Sequence, residues 1–269
     1  MIQLIAIDLD GTLLKSTKEV TAKNLEALHY AQEKGVKVVI CTGRPYSTMH
    51  HLIDQIGLKS EDDYLILYNG AFVQRISDGQ VLIQEELTSQ DLYKWYKELT
   101  SLNLPLNVLD QEWVYEPLTY PKGYESFYAG NVSTAPHTKV DFSDFDEDHR
   151  FMKFVVTIDE DHLSQQIPLL NKELVSQYTL SRSHPFQLEI MKAGVNKGNA
   201  LKKLSDQLNI QPSAIMAIGD QMNDESMIEF AGLGIVMENG ADALKEMADY
   251  ITLSNDQDGV AHAIYQFIK

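Results

Sequence analysis

Short apolar runs alternate with helical patterns at both ends of the chain, and this alternation constrains the fold more than any other feature. The runs Leu4 to Ile7 and Val36 to Cys41 are typical of buried parallel strands, and a helical pattern follows each of them. The alternation returns after residue 187, where Ile215 to Ile218 is the clearest apolar run. We therefore expect the two ends to form halves of one doubly wound, mostly parallel α/β sheet with right-handed connections.

The middle of the chain follows a different pattern. From about residue 84 to residue 187 it is richer in aromatic residues and prolines, and strands and helices alternate less regularly. A strand over residues 151–158 and a helix over residues 161–175 are expected within it. These observations predict a Rossmann-like core built from residues 1–83 and 188–269, with residues 84–187 as an inserted α+β domain.

The charge balance limits the partners of the protein. The 269 residues include 22 Lys+Arg and 39 Asp+Glu, which gives a formal net charge of −17. A field of this sign repels nucleic acids and anionic membranes, so we expect neither as a partner. A small anionic substrate fits the charge balance, because a metal ion and a few basic groups can reverse the field inside a pocket.

The cysteine content and the absence of a targeting pattern predict a cytoplasmic protein. The single cysteine, Cys41, cannot form an intramolecular disulfide, which is typical of a reducing compartment. The first residues lack the basic segment and cleavage site of a secretion signal, and no apolar run is long enough to span a bilayer. We expect a monomer or a weak homodimer.

Two acids follow the first apolar run. Asp8 and Asp10 stand two residues apart at a strand end, so their side chains should lean to the same side. Two neighbouring carboxylates repel each other unless a cation binds between them or one of them holds a proton. Magnesium prefers oxygen ligands of this kind, and a carboxylate can also form an aspartyl-phosphate. Taken alone, an ordinary acidic loop explains the pair at least as well.

Three further segments place polar groups at predicted strand ends or helix starts. Thr42-Gly43-Arg44 opens a helix, where a hydroxyl and backbone N–H groups suit a phosphate. Lys197, near the start of a later helix, could neutralise the oxygens of a phosphoryl group during transfer. Gly219 to Asp224 follow a buried strand and could supply a metal ligand with its supporting groups. Taken alone, Thr42-Gly43-Arg44 could be an ordinary helix start, Lys197 a surface lysine and Gly219 to Asp224 a polar loop. Together, at one edge of the predicted sheet, they suit phosphoryl transfer.

These segments together resemble the four signature motifs of the haloacid dehalogenase-like superfamily. The matching residues are Asp8-Leu9-Asp10-Gly11-Thr12-Leu13, Thr42-Gly43-Arg44, Lys197-Gly198, and Gly219-Asp220 with Asn223-Asp224. The long insert between the second and third motifs resembles that of the Cof-type sugar-phosphatase subfamily, which has a large α/β cap of the C2 type. The resemblance implies a magnesium-dependent phosphatase of small phosphorylated metabolites, most often sugar phosphates, in which the cap sets substrate specificity.

The resemblance also implies a role for each matching residue. Asp8 would be the nucleophile, and Asp10 would act first as general acid for the leaving alcohol and then as general base for water. Magnesium would be held by Asp8, by the backbone carbonyl of Asp10 and by Asp220. The phosphate would be held by the backbone N–H of Leu9 and by Thr42, Gly43, Lys197 and Asn223. Asp224 would orient Lys197 or a metal-bound water, whereas Arg44 and Asn69 would lie near the substrate.

Other activities share the same motifs. A phosphotransferase or mutase would pass the phosphoryl group to a second sugar hydroxyl, and a cofactor phosphatase would act on pyridoxal phosphate or flavin mononucleotide. A binding or regulatory protein would have lost a motif residue, and none is lost here. His184, Pro185 and Glu189, near the return from the insert, could face the substrate.

Overall fold

The structure, a computed structural model, describes residues 1–58 and 60–269. These residues divide into two compact units. The first unit joins both ends of the chain and consists of Met1–Gly43, His50–Gln84 and Asn196–Lys269. The second unit consists of Arg44–Met49 and Glu85–Val195. The expected domain bounds, residues 1–83 with 188–269 and residues 84–187, stay a prediction.

The regular elements of the described residues are numbered along the chain. The strands are β1 (Leu4–Asp8), β2 (Lys37–Cys41), β3 (Tyr64–Leu67), β4 (Phe72–Arg75), β5 (Val81–Gln84), β6 (Leu87–Thr88), β7 (Asn107–Leu109), β8 (Val114–Pro117), β9 (His137–Val140), β10 (Arg150–Phe151), β11 (Lys153–Thr157), β12 (Tyr178–His184), β13 (Gln187–Lys192), β14 (Ile215–Gly219), β15 (Leu233–Val236) and β16 (Tyr250–Ile251). The helices are α1 (Ala22–Glu33), α2 (His50–Ile56), α3 (Ser89–Ser101), α4 (Glu160–Gln166), α5 (Lys172–Val175), α6 (Lys197–Leu208), α7 (Glu225–Phe230), α8 (Asp242–Lys245) and α9 (Gly259–Phe267).

The first unit is built on an eight-stranded sheet with the order β16-β15-β14-β1-β2-β3-β4-β5. The pairings from β16 to β3 are parallel, and those of β3 with β4 and of β4 with β5 are antiparallel. Strand β1 lies at the centre, where Ile7 pairs with Ile40 of β2 and with Ile218 of β14. The predicted mostly parallel α/β core is therefore confirmed, and the two ends of the chain meet in one sheet.

Helices of the first unit begin at residues that satisfy unpaired backbone donors. The Thr21 side chain accepts a hydrogen bond from the Asn24 N–H at 3.0 Å at the start of α1. The Asn196 side chain accepts one from the Asn199 N–H at 2.7 Å at the start of α6. Such caps replace water for the first N–H groups of a helix, which have no partner within it. The cap at Asn196 fixes the first turn of α6 and hence the position of Lys197.

Two helices expected from the sequence are shorter than predicted. The segment after Arg44 forms a 3₁₀ turn at Tyr46–Thr48 before α2 begins at His50. The helix expected over residues 161–175 is divided into α4 and α5. Pro168 lies in the 3₁₀ turn between them, and a proline removes a backbone donor and clashes with the preceding turn of an α-helix.

The second unit contains a six-stranded mixed sheet with the order β12-β13-β11-β7-β8-β9. Strands β8 and β9 are parallel, and the other pairings are antiparallel. One face of the sheet packs against α3 and α4 in an apolar core that includes Leu92, Trp95, Phe154 and Leu163. The insert is therefore an α+β unit, as predicted.

In the part of the chain that the structure describes, we find no helix both long enough and apolar enough to cross a membrane.

Candidate active site

The central strands bring two acidic segments to one edge of the first unit's sheet. Asp8 is the last residue of β1, and Asp220 directly follows β14, which pairs with β1 in parallel. The backbone passes close to these acids at Gly11, which has a φ of +84°. A Cβ at Gly11 would lie 2.3 Å from Asp220 Oδ2, so no other residue fits there without displacing that carboxylate.

A buried lysine links two of the acids. Lys197 Nζ donates to Asp8 Oδ1 and to Asp224 Oδ1, each at 2.6 Å. Lys197 and Asp224 are fully buried, and Asp8 is 6% exposed. Burial alone would lower the pKa of Lys197, but the carboxylates of Asp224 and Asp8 outweigh burial and raise it. Lys197 is therefore a charged group of the site rather than a solvated surface lysine.

The acids outnumber the cation, and their pKa values reflect this. Burial raises the pKa of Asp8 well above its usual range; the charges of Asp224 and Asp220 act in the same direction, whereas Lys197 opposes them. Burial also raises the pKa of Asp220, to about 6, and the charge of Asp224 adds to this effect. The site therefore favours an additional positive charge.

The donor set of this site fits a hard metal ion. Asp8, Asp220 and Asp224 each offer a carboxylate oxygen, and these oxygens lie within 4.8 Å of one another in the described part of the chain. Asp224 is already committed, because its Oδ2 accepts from the backbone N–H groups of Asp220 and Gln221 at 2.9 and 3.1 Å while its Oδ1 accepts from Lys197. Asp8 and Asp220 keep more acceptor capacity, and an all-oxygen set of this kind suits magnesium.

Asp10 lies in a different environment from Asp8. Its side chain is 27% exposed, and its Oδ1 accepts from Lys18 Nζ at 2.8 Å. The carboxylate of Asp10 is not part of the three-acid group, so a metal role for this residue rests on its backbone carbonyl, which stays a prediction. The contact of Lys18 with Asp10 could not be predicted from the sequence spacing, because Lys18 reaches Asp10 from a surface turn in which the φ of Lys18 is +65°.

Thr42, Asn69 and Asn223 connect three strand ends. The Thr42 carbonyl accepts from the Asn69 N–H at 3.0 Å, and Asn69 Oδ1 accepts from Asn223 Nδ2 at 3.2 Å. A Cβ on Gly43 would lie 3.0 Å from that same Asn69 oxygen. Tyr68 and Asn69 have φ values of 51° and 56°, a left-handed conformation that is rare outside glycine. The structure thus brings the second and fourth motifs together through a strained turn.

The remaining expected residues divide between the two units. Leu9 follows Asp8 and is fully buried in the first unit. Arg44 belongs to the second unit. The proposed phosphate contacts of Leu9, Thr42, Gly43, Lys197 and Asn223 stay predictions.

Two residues near the acids were not assigned a role from the sequence. Thr12 Oγ1 donates to Asp220 Oδ1 at 2.9 Å, and Thr12 is fully buried. Ser226 Oγ accepts from the Gly198 N–H at 3.0 Å, next to Lys197. The position of Thr12 directly after Asp10-Gly11 could have indicated that Thr12 belongs to the site. No such position marks Ser226, because it lies on a helix whose packing the sequence did not specify.

Comparisons with known proteins agree with this geometry. The sequence model of the haloacid dehalogenase-like hydrolase family matches residues 5–264. The chain is 37% identical to "Putative phosphatase YxeH" of Bacillus subtilis, covering 100% of this chain and 99% of that protein. It is 34% identical to "5-amino-6-(5-phospho-D-ribitylamino)uracil phosphatase YcsE" of Bacillus subtilis, covering 99% and 96%. A haloacid dehalogenase-like hydrolase structure from Bacteroides thetaiotaomicron superposes with a TM-score of 0.83 at 28% identity and covers 100% of both chains.

Proposed function

The chain belongs to the haloacid dehalogenase-like hydrolases, and from this membership we propose that it is a magnesium-dependent phosphatase that works through an aspartyl-phosphate on Asp8. The protein is a phosphoric monoester hydrolase of small phosphorylated metabolites. One observation carries the proposed mechanism. Asp8, at the end of the central strand β1, accepts a hydrogen bond from the buried Lys197 and lies beside Asp220.

In the first step Asp8 attacks phosphorus while the bond from phosphorus to the leaving oxygen breaks. The hydrogen bond from Lys197 to Asp8 Oδ1 fixes the carboxylate and favours its ionised form. Asp10 gives a proton to the leaving oxygen, so the product leaves as a neutral alcohol. The partly exposed position of Asp10 supports this role, because the proton must exchange with solvent between turnovers.

In the second step water attacks the phosphorus of the aspartyl-phosphate. Asp10, now ionised, takes a proton from that water, and the bond between phosphorus and Asp8 breaks to release inorganic phosphate. Lys197 neutralises charge on the phosphoryl oxygens in both steps. Asp224 orients Lys197, because it accepts from Lys197 Nζ and is itself held by two backbone N–H groups.

Asp8, Asp220 and the backbone carbonyl of Asp10 would hold magnesium. The ion, when bound, supplies positive charge that offsets the repulsion between the carboxylates and the anionic substrate. The hydroxyl of Thr12 keeps Asp220 oriented. The phosphate is held by the backbone N–H of Leu9 and by Thr42, Gly43, Lys197 and Asn223.

The substrate is proposed to be a sugar phosphate or another phosphorylated polyol. One curated relative is named for a phosphorylated ribitylamino compound, which carries its phosphate on a polyhydroxy chain. The inserted domain, residues 84–187, and Arg44 would choose among such substrates. Transfer to a second sugar hydroxyl and hydrolysis of pyridoxal phosphate or flavin mononucleotide are the alternatives.

Replacement of the nucleophile tests this proposal. With magnesium and para-nitrophenyl phosphate, Asp8→Asn should lower kcat by about a thousandfold or more, since the variant has no carboxylate to form the intermediate. Asp62→Asn is the matched control, because Asp62 is an exposed acid of the same unit that pairs with Lys37. Substantial activity in Asp8→Asn would refute the nucleophile assignment. A panel of phospho-metabolites then separates the substrates, and an isomerised sugar phosphate without free phosphate would indicate a mutase.

A further inference from the structure

Asp10 lies beyond the last strand pairing of β1. The register of β1 with β2 ends where Asp8 pairs with Cys41, and Asp10 stands at the start of the turn that follows. Sheet pairing therefore accounts for the position of Asp8 but not for that of Asp10. A general acid must lie within hydrogen-bond reach of the oxygen it protonates, and small displacements reduce its effect steeply. Other bonds must hold the segment that carries Asp10.

The turn after Asp10 is tight and closes on itself. Asp10 forms an isolated β-bridge with Leu14, and Gly11 between them has a φ of +84°. The Leu14 N–H donates to the Leu9 carbonyl at 2.9 Å. The bridge ties the backbone position of Asp10 to that of Leu14, so a bond that holds the far end of the turn also helps to hold Asp10.

Three asparagine side chains hold carbonyls of this turn from outside it. All three belong to the first unit, as the turn does. Their amide nitrogens donate to three carbonyls: Asn239 to that of Gly11 at 2.8 Å, Asn255 to that of Leu14 at 2.8 Å, and Asn24 to that of Leu13 at 3.3 Å. We call these three residues the asparagine clamp.

The oxygen ends of the clamp amides are bonded as well. Asn239 Oδ1 accepts from the Asn255 N–H at 2.9 Å, and Asn24 Oδ1 accepts from the Ala261 N–H at 3.0 Å. In each of these amides the oxygen accepts from a backbone donor, so the nitrogen is the end that faces the turn. The clamp therefore joins the turn after Asp10 to the C-terminal part of the chain.

The segment that carries Asn239 also contacts the second acidic strand end. Two residues after Asn239, the Ala241 N–H donates to the Asp220 carbonyl at 2.8 Å. This short segment thus bonds the Gly11 carbonyl on one side and the Asp220 carbonyl on the other. It fixes the spacing between the turn of Asp10 and the end of β14, which pairs with β1.

We propose that Asn239 and Asn255 are positioning residues of the reaction, which hold Asp10 where its carboxyl group can give a proton to the leaving oxygen. This inference rests on the proposed function, because it uses the general-acid role of Asp10. The competing explanation is that the clamp serves folding alone. The two explanations differ in what they predict for leaving groups of different basicity.

Two aryl phosphates of similar shape test the inference. Para-nitrophenyl phosphate releases a weakly basic phenolate that needs little protonation, whereas phenyl phosphate releases a stronger base that depends more on the acid. The value of kcat/KM covers the reaction up to the release of the alcohol, which is the step that uses Asp10 as an acid. We take the ratio of kcat/KM for phenyl phosphate to that for para-nitrophenyl phosphate as the measure of acid catalysis.

Asn239→Ala is the main variant, because Asn239 is exposed and water can replace it at the Gly11 carbonyl without unfolding the protein. The ratio should fall about fivefold, the effect of one ordinary hydrogen bond on the step that needs the acid. Asn255→Ala removes the donor to the Leu14 carbonyl and should lower the ratio to a similar extent. Asp10→Asn removes the acid itself and should lower the ratio further.

Asn171→Ala is the matched control. It makes the same substitution at an exposed asparagine of the second unit, where Asn171 Oδ1 accepts from the Glu173 and Leu174 N–H groups at 3.0 Å. Thermal unfolding should be shifted slightly downward in this variant and in Asn239→Ala, because each loses exposed hydrogen bonds. Only Asn239→Ala should change the ratio.

The failure of the inference and the failure of the proposed function give different results. An unchanged ratio in either Asn239→Ala or Asn255→Ala, while Asp10→Asn lowers it, would overturn the inference and leave the general-acid role of Asp10 intact. Equal losses for the two esters count as an unchanged ratio and would show a role in folding alone. An unchanged ratio in Asp10→Asn would overturn the general-acid role itself, and the inference with it.

Discussion

Asn69→Gly isolates the contribution of one side chain to the proposed phosphate site. Asn69 has a left-handed backbone that glycine adopts readily, so the substitution removes the side chain without adding backbone strain. Its cost to folding should be within about 1 kcal/mol, mainly from the greater freedom of glycine in the unfolded chain. The substitution removes the Asn69 Oδ1 acceptor, which lies 3.2 Å from Asn223 Nδ2.

The expected effect on catalysis follows from the hydrogen bond between Asn223 and Asn69. A neutral hydrogen bond is worth about 1 kcal/mol, so a less well-held Asn223 should lower kcat/KM about fivefold. Asn223→Ala alone should lower kcat/KM further, because it removes the proposed phosphate contact itself. If Asn69 acts through Asn223, the double variant should be no worse than Asn223→Ala, which gives a coupling energy of about 1 kcal/mol.

The assay is steady-state hydrolysis of para-nitrophenyl phosphate by the four proteins of this cycle. Asn209→Gly is the matched control, because Asn209 has a φ of 55° at the far end of α6 and should keep the wild-type kcat/KM. Full activity in Asn69→Gly, or losses that simply multiply in the double variant, would refute the positioning role of Asn69.

Three further predictions follow from the packing of the acids. Gly11→Ala should destabilise the fold by about 1–3 kcal/mol in urea unfolding and lower the activity, because the new Cβ meets Asp220 at a positive φ; wild-type stability would contradict this. Because the pKa of Asp220 is raised to about 6, the metal-free wild type should lose about 1.4 kcal/mol of stability relative to Asp220→Asn as the pH rises from 5 to 7.5, and parallel pH profiles of the two proteins would exclude this. Lys153→Met should lower the free energy of unfolding by about 3–5 kcal/mol, because Glu189 is left buried without its cation. Adding Glu189→Leu should recover most of that loss, and an equally unstable double variant would argue against charge burial as the cause.

The edge of the sheet where the acids gather could be predicted from the sequence. Apolar runs that end in polar residues mark the carboxyl ends of parallel strands, and this places Asp8 beside Asp220 without knowledge of side-chain directions. The resemblance of Lys197-Gly198 to a signature motif of the family predicts that Lys197 lies near them. The fold class follows from the same pattern, since alternating strands and helices allow few other arrangements.

Side-chain geometry within the site could not be predicted in the same way. Asp8 and Asp10 were expected to lean together, yet one is buried against Lys197 and the other is partly exposed beside Lys18. The difference depends on a surface turn with a positive φ at Lys18, which no local pattern indicates. The ion pair of Lys153 with Glu189 in the second unit could not be predicted, because strand register decides which side chains share a face, and short irregular strands leave register unspecified.

The position of β1 also determines when the enzyme can become active during its synthesis. Strand β1 can pair with β2 soon after both have left the ribosome, but its other neighbour, β14, begins only at Ile215. At about 5–20 residues per second, β1 waits on the order of 10–40 s for that partner. The second unit, which ends at Val195, is complete before then. A chain interrupted in translation before β14 always lacks Asp220, and it also lacks Lys197 if it ends before residue 197, so such nascent fragments should not hydrolyse phosphate esters.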